Sequence, residues 1–144
     1  MYKRILVPTD GSEITAKAIQ TAVALARLSG GSMTTLCVKE PFPYSAISEM
    51  QPVPPQEFYD AQERIAAARV KAVVDSAKDS GLNCDGYTVE ALHPWEAILD
   101  HAKQQGCDLI VMASHGRRGV SALLLGSETS RVLTHSPLPV LVVK

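Results

Sequence analysis

The sequence lacks long apolar runs and a cysteine framework. No run of about 18 apolar residues occurs, so no transmembrane helix is predicted. The first apolar run, Ile5-Leu6-Val7, is too short for a signal peptide. The three cysteines are odd in number, far apart and without a CxxC pair, which argues against a disulfide framework or a zinc site. We therefore expect a soluble, cytoplasmic protein.

An excess of charge of one sign is also missing. The 14 Lys and Arg residues nearly balance the 15 Asp and Glu residues, which leaves a net charge of −1. No overall field would attract nucleic acid or an anionic membrane, so any site for a polyanion must be local. The 144 residues, 46% of them hydrophobic, are ordinary for a globular chain with a full core, and we expect one domain over residues 1–144.

The best-known nucleotide motifs are absent too. Neither GxxxxGK[ST] nor GxGxxG occurs, and no base is evidently placed to activate water, which argues against an efficient hydrolase. An ATP pyrophosphatase of related architecture would carry an SGGxDS loop after its first strand, where this chain has Thr9-Asp10-Gly11-Ser12-Glu13. We assign no catalytic residue, and slow hydrolysis or autophosphorylation stays open.

Apolar runs and helical repeats alternate along the chain. Strands are predicted at residues 5–7, 33–38, 87–91, 108–113 and 140–143. Helices are predicted at residues 13–28, 56–80, 94–105 and 127–135. This alternation predicts an α/β fold, a single doubly wound domain whose five-stranded, mainly parallel sheet has the order 3-2-1-4-5 and about four flanking helices.

A proline-rich stretch interrupts this alternation. Residues 40–55 contain five prolines, too many for a helix or a central strand, and are predicted to form a long surface loop. Such a loop could act as a lid, or it could be a connector of freely variable length.

Glycines and a helix start meet where the fourth strand ends. Ser114-His115-Gly116 follows that strand, and Gly126-Ser127 opens the next helix, with Ser127 predicted as its cap. Asp10 follows the first strand, so both segments should reach one crevice at the point where the strand order reverses. From spacing alone, a phosphate cradle and a tight turn with a serine cap explain these residues equally well.

Three motifs together resemble the universal stress protein family. They are the opening Val7-Pro8-Thr9-Asp10-Gly11-Ser12, the central Ser114-His115-Gly116 with Gly126-Ser127, and the ending Pro139-Val140-Leu141-Val142-Val143. The resemblance covers essentially the whole chain. Nucleotide-binding members share Gly, two residues, Gly, nine residues, then Gly with Ser or Thr. Here Gly116, Gly126 and Ser127 match, and Ala113 replaces the first glycine.

The resemblance implies a stress-response regulatory protein that binds AMP or ATP, with Mg²⁺ able to bridge the phosphates and no metal ligands from the protein. Asp10 would meet the adenine or ribose, and the backbone of Val38 would pair with the adenine edge. The backbone groups of Pro8, Thr9 and Ala113 would line the sugar. The phosphates would lie among residues that follow the fourth strand, namely His115, Gly116, Arg117, Gly126, Ser127, Glu128 and Thr129.

Several side chains have alternative explanations. Glu128 could turn inward and repel a triphosphate, which would favour AMP, or it could point to solvent, which we favour. His115 could donate to a phosphate or accept a phosphoryl group, but we favour a bond to nearby backbone. Trp95 is expected in the core, and the other histidines are expected at the surface or at helix ends. They are His93, His101 and His135.

A second function class stays open. The chain could be a partner-binding homodimer that holds no nucleotide, with a degenerate site marked by Ala113 and Glu128. The last strand, Val140 to Val143, is apolar and predicted at a sheet edge, where it would pair with another chain. The resemblance likewise implies a homodimer through this strand.

Overall fold

A five-stranded parallel sheet forms the centre of the molecule. The computed structural model describes residues 1–41, 55–116 and 124–144. The strand order is β3-β2-β1-β4-β5, and every pairing is parallel, so the predicted doubly wound α/β fold and its strand order are confirmed. Most of the proline-rich loop and all of Arg117 lie outside the described residues. The strands are β1 (Arg4–Pro8), β2 (Ser32–Lys39), β3 (Cys84–Glu90), β4 (Leu109–Ala113) and β5 (Val140–Val143).

Two layers of helices cover the sheet. One face packs against α1 (Glu13–Ser29) and α2 (Pro55–Asp79), and the other against α3 (Pro94–Gln104) and α4 (Ser127–His135). Right-handed crossovers explain this division, because the connection from β3 to β4 must pass to the opposite face from the connections before it. Within the described part of the chain, no helix combines the length and apolarity needed to span a membrane.

Strand β1 shows why its sequence has no polar alternation. Ile5 and Val7 belong to the core cluster under α1 and α2, whereas Leu6 belongs to the cluster under α3 and α4. All three side chains are fully buried. A strand that is buried on both faces needs apolar residues at every position, as predicted from the continuous run.

Three of the predicted helix ends agree with the structure, and one does not. Ser12 caps α1 by accepting a hydrogen bond from the Thr15 amide, and Gly30 ends that helix with a left-handed φ of 64°. Pro94 opens α3 as predicted. The prediction that Ser127 caps α4 is wrong. Gly126 holds the cap position, and Ser127 is the first helical residue.

Strand β3 is longer at its start than its sequence predicts. It begins at Cys84 instead of Tyr87, because the register with β2 continues back to the Met33–Cys84 pair. Pairing with a neighbouring strand therefore overrides the low strand propensity of this segment. Gly86 is required there by packing, since an added Cβ would lie 2.2 Å from Val70 Cγ1 on α2.

We predict that Gly86→Ala destabilises the protein by about 1–3 kcal/mol through overpacking against α2. Urea denaturation measures the change in the free energy of unfolding. Combining it with Val70→Ala removes the clashing methyl, so the double variant should be more stable than the sum of the two single changes allows. If the changes in the free energy of unfolding of the two single variants add up to that of the double variant, β3 and α2 are not packed this closely.

Candidate functional site

Two loops meet at the carboxyl ends of β1 and β4. A Cβ added at Gly116 would lie 2.6 Å from Asp10 Oδ2, closer than a side chain tolerates. The backbone after β4 therefore passes directly against the carboxylate that follows β1. The strand order predicts this meeting, because the two strands are neighbours and their connections run to opposite faces of the sheet.

The two carboxylate oxygens of Asp10 have different surroundings. Oδ1 accepts hydrogen bonds from the Ser12 amide at 2.9 Å and from the Thr15 hydroxyl at 2.8 Å. These bonds fold the chain into the first turn of α1 and fix the orientation of the carboxylate. Oδ2 is the oxygen beside Gly116. The preceding residue, Thr9, ties the same loop to β2 by donating its amide to the Leu36 carbonyl at 2.9 Å.

The start of α4 is held against the end of β4. Gly126 donates its amide to the Ser114 carbonyl at 2.7 Å, and the buried Thr129 hydroxyl donates to the Ala113 carbonyl at 2.8 Å. Gly126 also packs on His115, where an added Cβ would lie 3.0 Å from its Cα. These contacts place the first turn of α4 next to the loop that approaches Asp10.

The first turn of α4 contains backbone amides without a backbone acceptor in the described part of the chain. Its first three residues, Ser127, Glu128 and Thr129, donate no backbone hydrogen bond to any residue that the structure describes, and the glycine before them has no capping side chain. Amides of this kind carry the positive end of the helix dipole and bind anions. The arrangement can therefore hold a phosphate or carboxylate.

Ala113 does not obstruct the crevice. Its side chain belongs to the core cluster with Ile5 and Val7, on the face covered by α1, and the residue is only 8% exposed. The methyl group that replaces the family's first glycine is therefore accommodated in the core. The backbone carbonyl of Ala113 remains at the end of β4, where Thr129 bonds to it.

The remaining predicted residues lie around the same end of the sheet. Pro8 is the last residue of β1, and Val38 is the second-last residue of β2. His115 is half-buried, and its Nδ1 lies 3.2 Å from the Ser114 hydroxyl. Among the described residues its ring contact is therefore with a side chain, and the expected bond from His115 to nearby backbone stays a prediction. Ser127 is exposed.

Glu128 has a role that its position in the sequence does not suggest. Its Oε2 accepts a hydrogen bond from the Trp95 amide at 2.9 Å. Trp95 is the second residue of α3, its predecessor Pro94 has no N–H group, and His93 provides no side-chain cap. Glu128 therefore caps α3 from α4. The expectation that it points to solvent is wrong, because its carboxylate is held by α3.

His101 is a further residue that sequence reasoning misplaced. Only 7% exposed, it lies with Nε2 3.0 Å from the Thr34 hydroxyl and its ring 4.8 Å from that of Tyr87. Burial, with a smaller effect of the Arg4 charge, lowers the pKa of His101. The sequence did contain a signal for this burial. His101 follows the buried Ile98 by three residues, so the two side chains lie on the same face of the helix. 

Two other aromatic positions behave as expected. His135 is exposed near the end of α4, where its Nδ1 lies 2.9 Å from the Arg131 carbonyl. Its ring stacks on Trp95 at a centroid distance of 4.4 Å. Trp95 also packs against the core cluster under α3 and α4, which confirms the core prediction.

A metal site is not visible in the described ranges. Among residues 1–41, 55–116 and 124–144, no group of three or more His, Cys, Asp or Glu side chains could hold a metal ion. Any Mg²⁺ at this crevice would depend on oxygen ligands from a bound phosphate chain.

Comparison with known proteins decides the family. The model of the universal stress protein family matches residues 1–144. The chain belongs to this family. Universal stress protein YxiE of Bacillus subtilis is 30% identical, with 100% of both chains covered. The solved universal stress protein UspA from Lactobacillus plantarum is 30% identical with a TM-score of 0.85, over 99% of this chain and 98% of that one.

Two other solved members of the universal stress protein family contain an adenine nucleotide. One is in complex with cAMP, at 24% identity and a TM-score of 0.69, over 99% of this chain and 96% of that chain. The other, from Archaeoglobus fulgidus, is in complex with dAMP, at 19% identity and a TM-score of 0.69, over 99% and 98% of the two chains. At these identities the likeness to this chain is one of fold.

We predict that Glu128→Ala lowers the free energy of unfolding by about 1 kcal/mol, because the Trp95 amide loses its capping partner. Chemical denaturation measures the loss. Glu57→Ala is the matched control, since Glu57 is exposed and lies in the first turn of α2. Equal losses in the two variants would mean that Glu128 acts only through the helix dipole.

Proposed function

We propose that residues 1–144 form one adenine-nucleotide-binding domain of a cytoplasmic stress-response regulatory protein. The observation that carries this proposal is the contact of Asp10 with Gly116 beside the open first turn of α4. A carboxylate acceptor and a set of anion-binding amides then lie at one crevice. A nucleotide matches this arrangement, because its base and sugar carry hydrogen-bond donors and its other end carries phosphates. The cAMP and dAMP complexes of related proteins support the same ligand class.

The proposed binding mode places each part of the nucleotide beside residues at the carboxyl ends of the strands. Asp10 accepts a hydrogen bond from the adenine amino group or a ribose hydroxyl, and the backbone of Val38 pairs with the adenine edge. Backbone groups of Pro8, Thr9 and Ala113 line the sugar. The phosphates are held by His115, Gly116, Arg117, Gly126 and the first turn of α4, where Ser127, Glu128 and Thr129 supply amides.

Glu128 does not set the phosphate preference. Its carboxylate is engaged by the Trp95 amide, so its orientation is fixed by α3 and not by the ligand. We propose AMP or ATP as the ligand, with Mg²⁺ accompanying the longer phosphate chain. We propose that the bound nucleotide acts as a signal and not as a substrate.

The nucleotide proposal is tested by titrating nucleotide-free protein with AMP, ADP and ATP in a calorimeter. Asp10→Asn should weaken binding about tenfold. An asparagine keeps an oxygen for the Ser12 amide and the Thr15 hydroxyl, but it replaces the oxygen beside Gly116 with a donor. Asp79→Asn, at an exposed position near the end of α2, is the control and should bind as the wild type does.

Absence of heat with all three nucleotides at high micromolar concentration would reject this function. The partner-binding homodimer without nucleotide would then be the better description. Equal affinities of the wild type and Asp10→Asn would instead place the adenine and ribose away from Asp10.

We also propose that the protein is a homodimer through β5. This strand is at one end of the sheet, and Leu141 within it is 39% exposed. An apolar edge strand offers unpaired backbone groups to a second copy.

Leu141→Lys should shift the protein from dimer to monomer in sedimentation, because the lysine charge would be buried at the interface. Leu28→Lys is the control, since Leu28 is 85% exposed and lies on α1 and not on the edge strand. Circular dichroism checks that both variants fold. An unchanged dimer in Leu141→Lys would place the interface elsewhere.

A further inference from the structure

A groove of about 400 Å³ lies between β3 and α3, apart from the crevice described above. It arises because the covering helices on this face are α3 and α4, while β3, at the sheet edge, is covered by α2 on the opposite face. Tyr87 and Val89 of β3, with Leu36 of β2, form an apolar side. The facing side belongs to α3 and carries Glu96, Ala97, Asp100, His101 and Gln104.

The charge of this groove has one sign. No Lys or Arg occurs among its lining residues, whereas Glu96 and Asp100 both line it from α3. They are four residues apart, so their side chains lie on one face of the helix, about 6 Å apart along its axis. Neither makes an ion pair or side-chain hydrogen bond with the residues that the structure describes. Their negative charge is therefore available to a ligand.

His101 adds a buried acceptor to the groove. The Thr34 hydroxyl donates its proton to the Asp85 carbonyl at 3.2 Å, so in its 3.0 Å contact with His101 it accepts from Nε2–H. Nδ1 then carries a lone pair. In the described ranges, every side-chain nitrogen or oxygen that is fully buried has a hydrogen-bond partner. Nδ1 of His101 has no partner among the described residues, so this atom is not fully buried and is in contact with solvent. The groove is the opening that His101 lines.

Tyr87 gives the groove an aromatic wall. Its ring packs edge-on against His101 and remains 39% exposed. The face of a tyrosine ring attracts cations, and the neighbouring Val89, which is partly exposed, provides surface for an aliphatic chain. The charged residues that line the groove, Glu90, Glu96 and Asp100, are all acidic.

We propose that this groove binds a small aliphatic ammonium compound. Its ammonium group lies with Glu96, Asp100 and Nδ1 of His101, and its carbon chain lies on Tyr87 and Val89. The site takes a cation, and its lining includes none of the residues proposed for the nucleotide, so its occupancy does not rest on nucleotide binding.

The experiment compares cadaverine with 1,5-pentanediol, which has the same carbon chain but no charge. Backbone amide resonances of Val89 and Ala97 are followed by NMR as each compound is added to the full chain. Cadaverine should give saturable shifts, and the diol should give none. Asp100→Asn and Glu96→Gln should each weaken binding about two- to fivefold, and Tyr87→Leu by a similar factor.

Glu57→Gln is the matched control, because Glu57 lies in the first turn of α2 as Glu96 does in α3, and it does not line the groove. It should leave the affinity for cadaverine unchanged. The proposal is overturned if the shifts do not saturate or the diol produces the same shifts. It is also overturned if Glu57→Gln weakens binding as much as Glu96→Gln, which would indicate general attraction to an acidic surface.

Discussion

The approach of the Gly116 backbone to the carboxylate of Asp10 is the constraint on which the site depends. No side chain fits at Gly116 while Asp10 keeps its bonds to the first turn of α1. Residues 114–116 therefore lie against the loop after β1, and both segments are fastened to the sheet by backbone hydrogen bonds, from Ser114 to Val143 and from Thr9 to Leu36. The described part of the crevice is consequently built largely from backbone, which leaves few side-chain rotamers to order on binding.

The sheet could be predicted from sequence because its central strands are buried on both faces. Ile5-Leu6-Val7 and the run before Ala113 are continuous apolar segments, and the rules for parallel crossovers then leave few strand orders. The start of β3 could not be predicted in this way. Its residues Cys84, Asp85 and Gly86 lack strand propensity and are held by pairing with β2 and packing under α2.

The position of the site was also predictable, whereas the orientation of its side chains was not. Asp10 and Gly116 follow neighbouring strands, so topology alone brings them together. Glu128 bonds to Trp95, 33 residues away, and His101 bonds to Thr34, 67 residues away. Such partners depend on how helices pack in three dimensions. Helical spacing indicates that His101 is buried, but it does not identify its partner.

The Glu128 hydrogen bond joins the starts of two helices that serve different surfaces. Helix α4 begins at the crevice, and helix α3 forms a wall of the groove beside β3. A rotation of α4 that moved the Glu128 carboxylate would deprive α3 of its cap. If a ligand at α4 changes the affinity of a ligand at α3 through this bond, thermodynamic linkage requires the ligand at α3 to change the affinity at α4 by the same factor. One carboxylate thus provides a route for reciprocal coupling between the two surfaces.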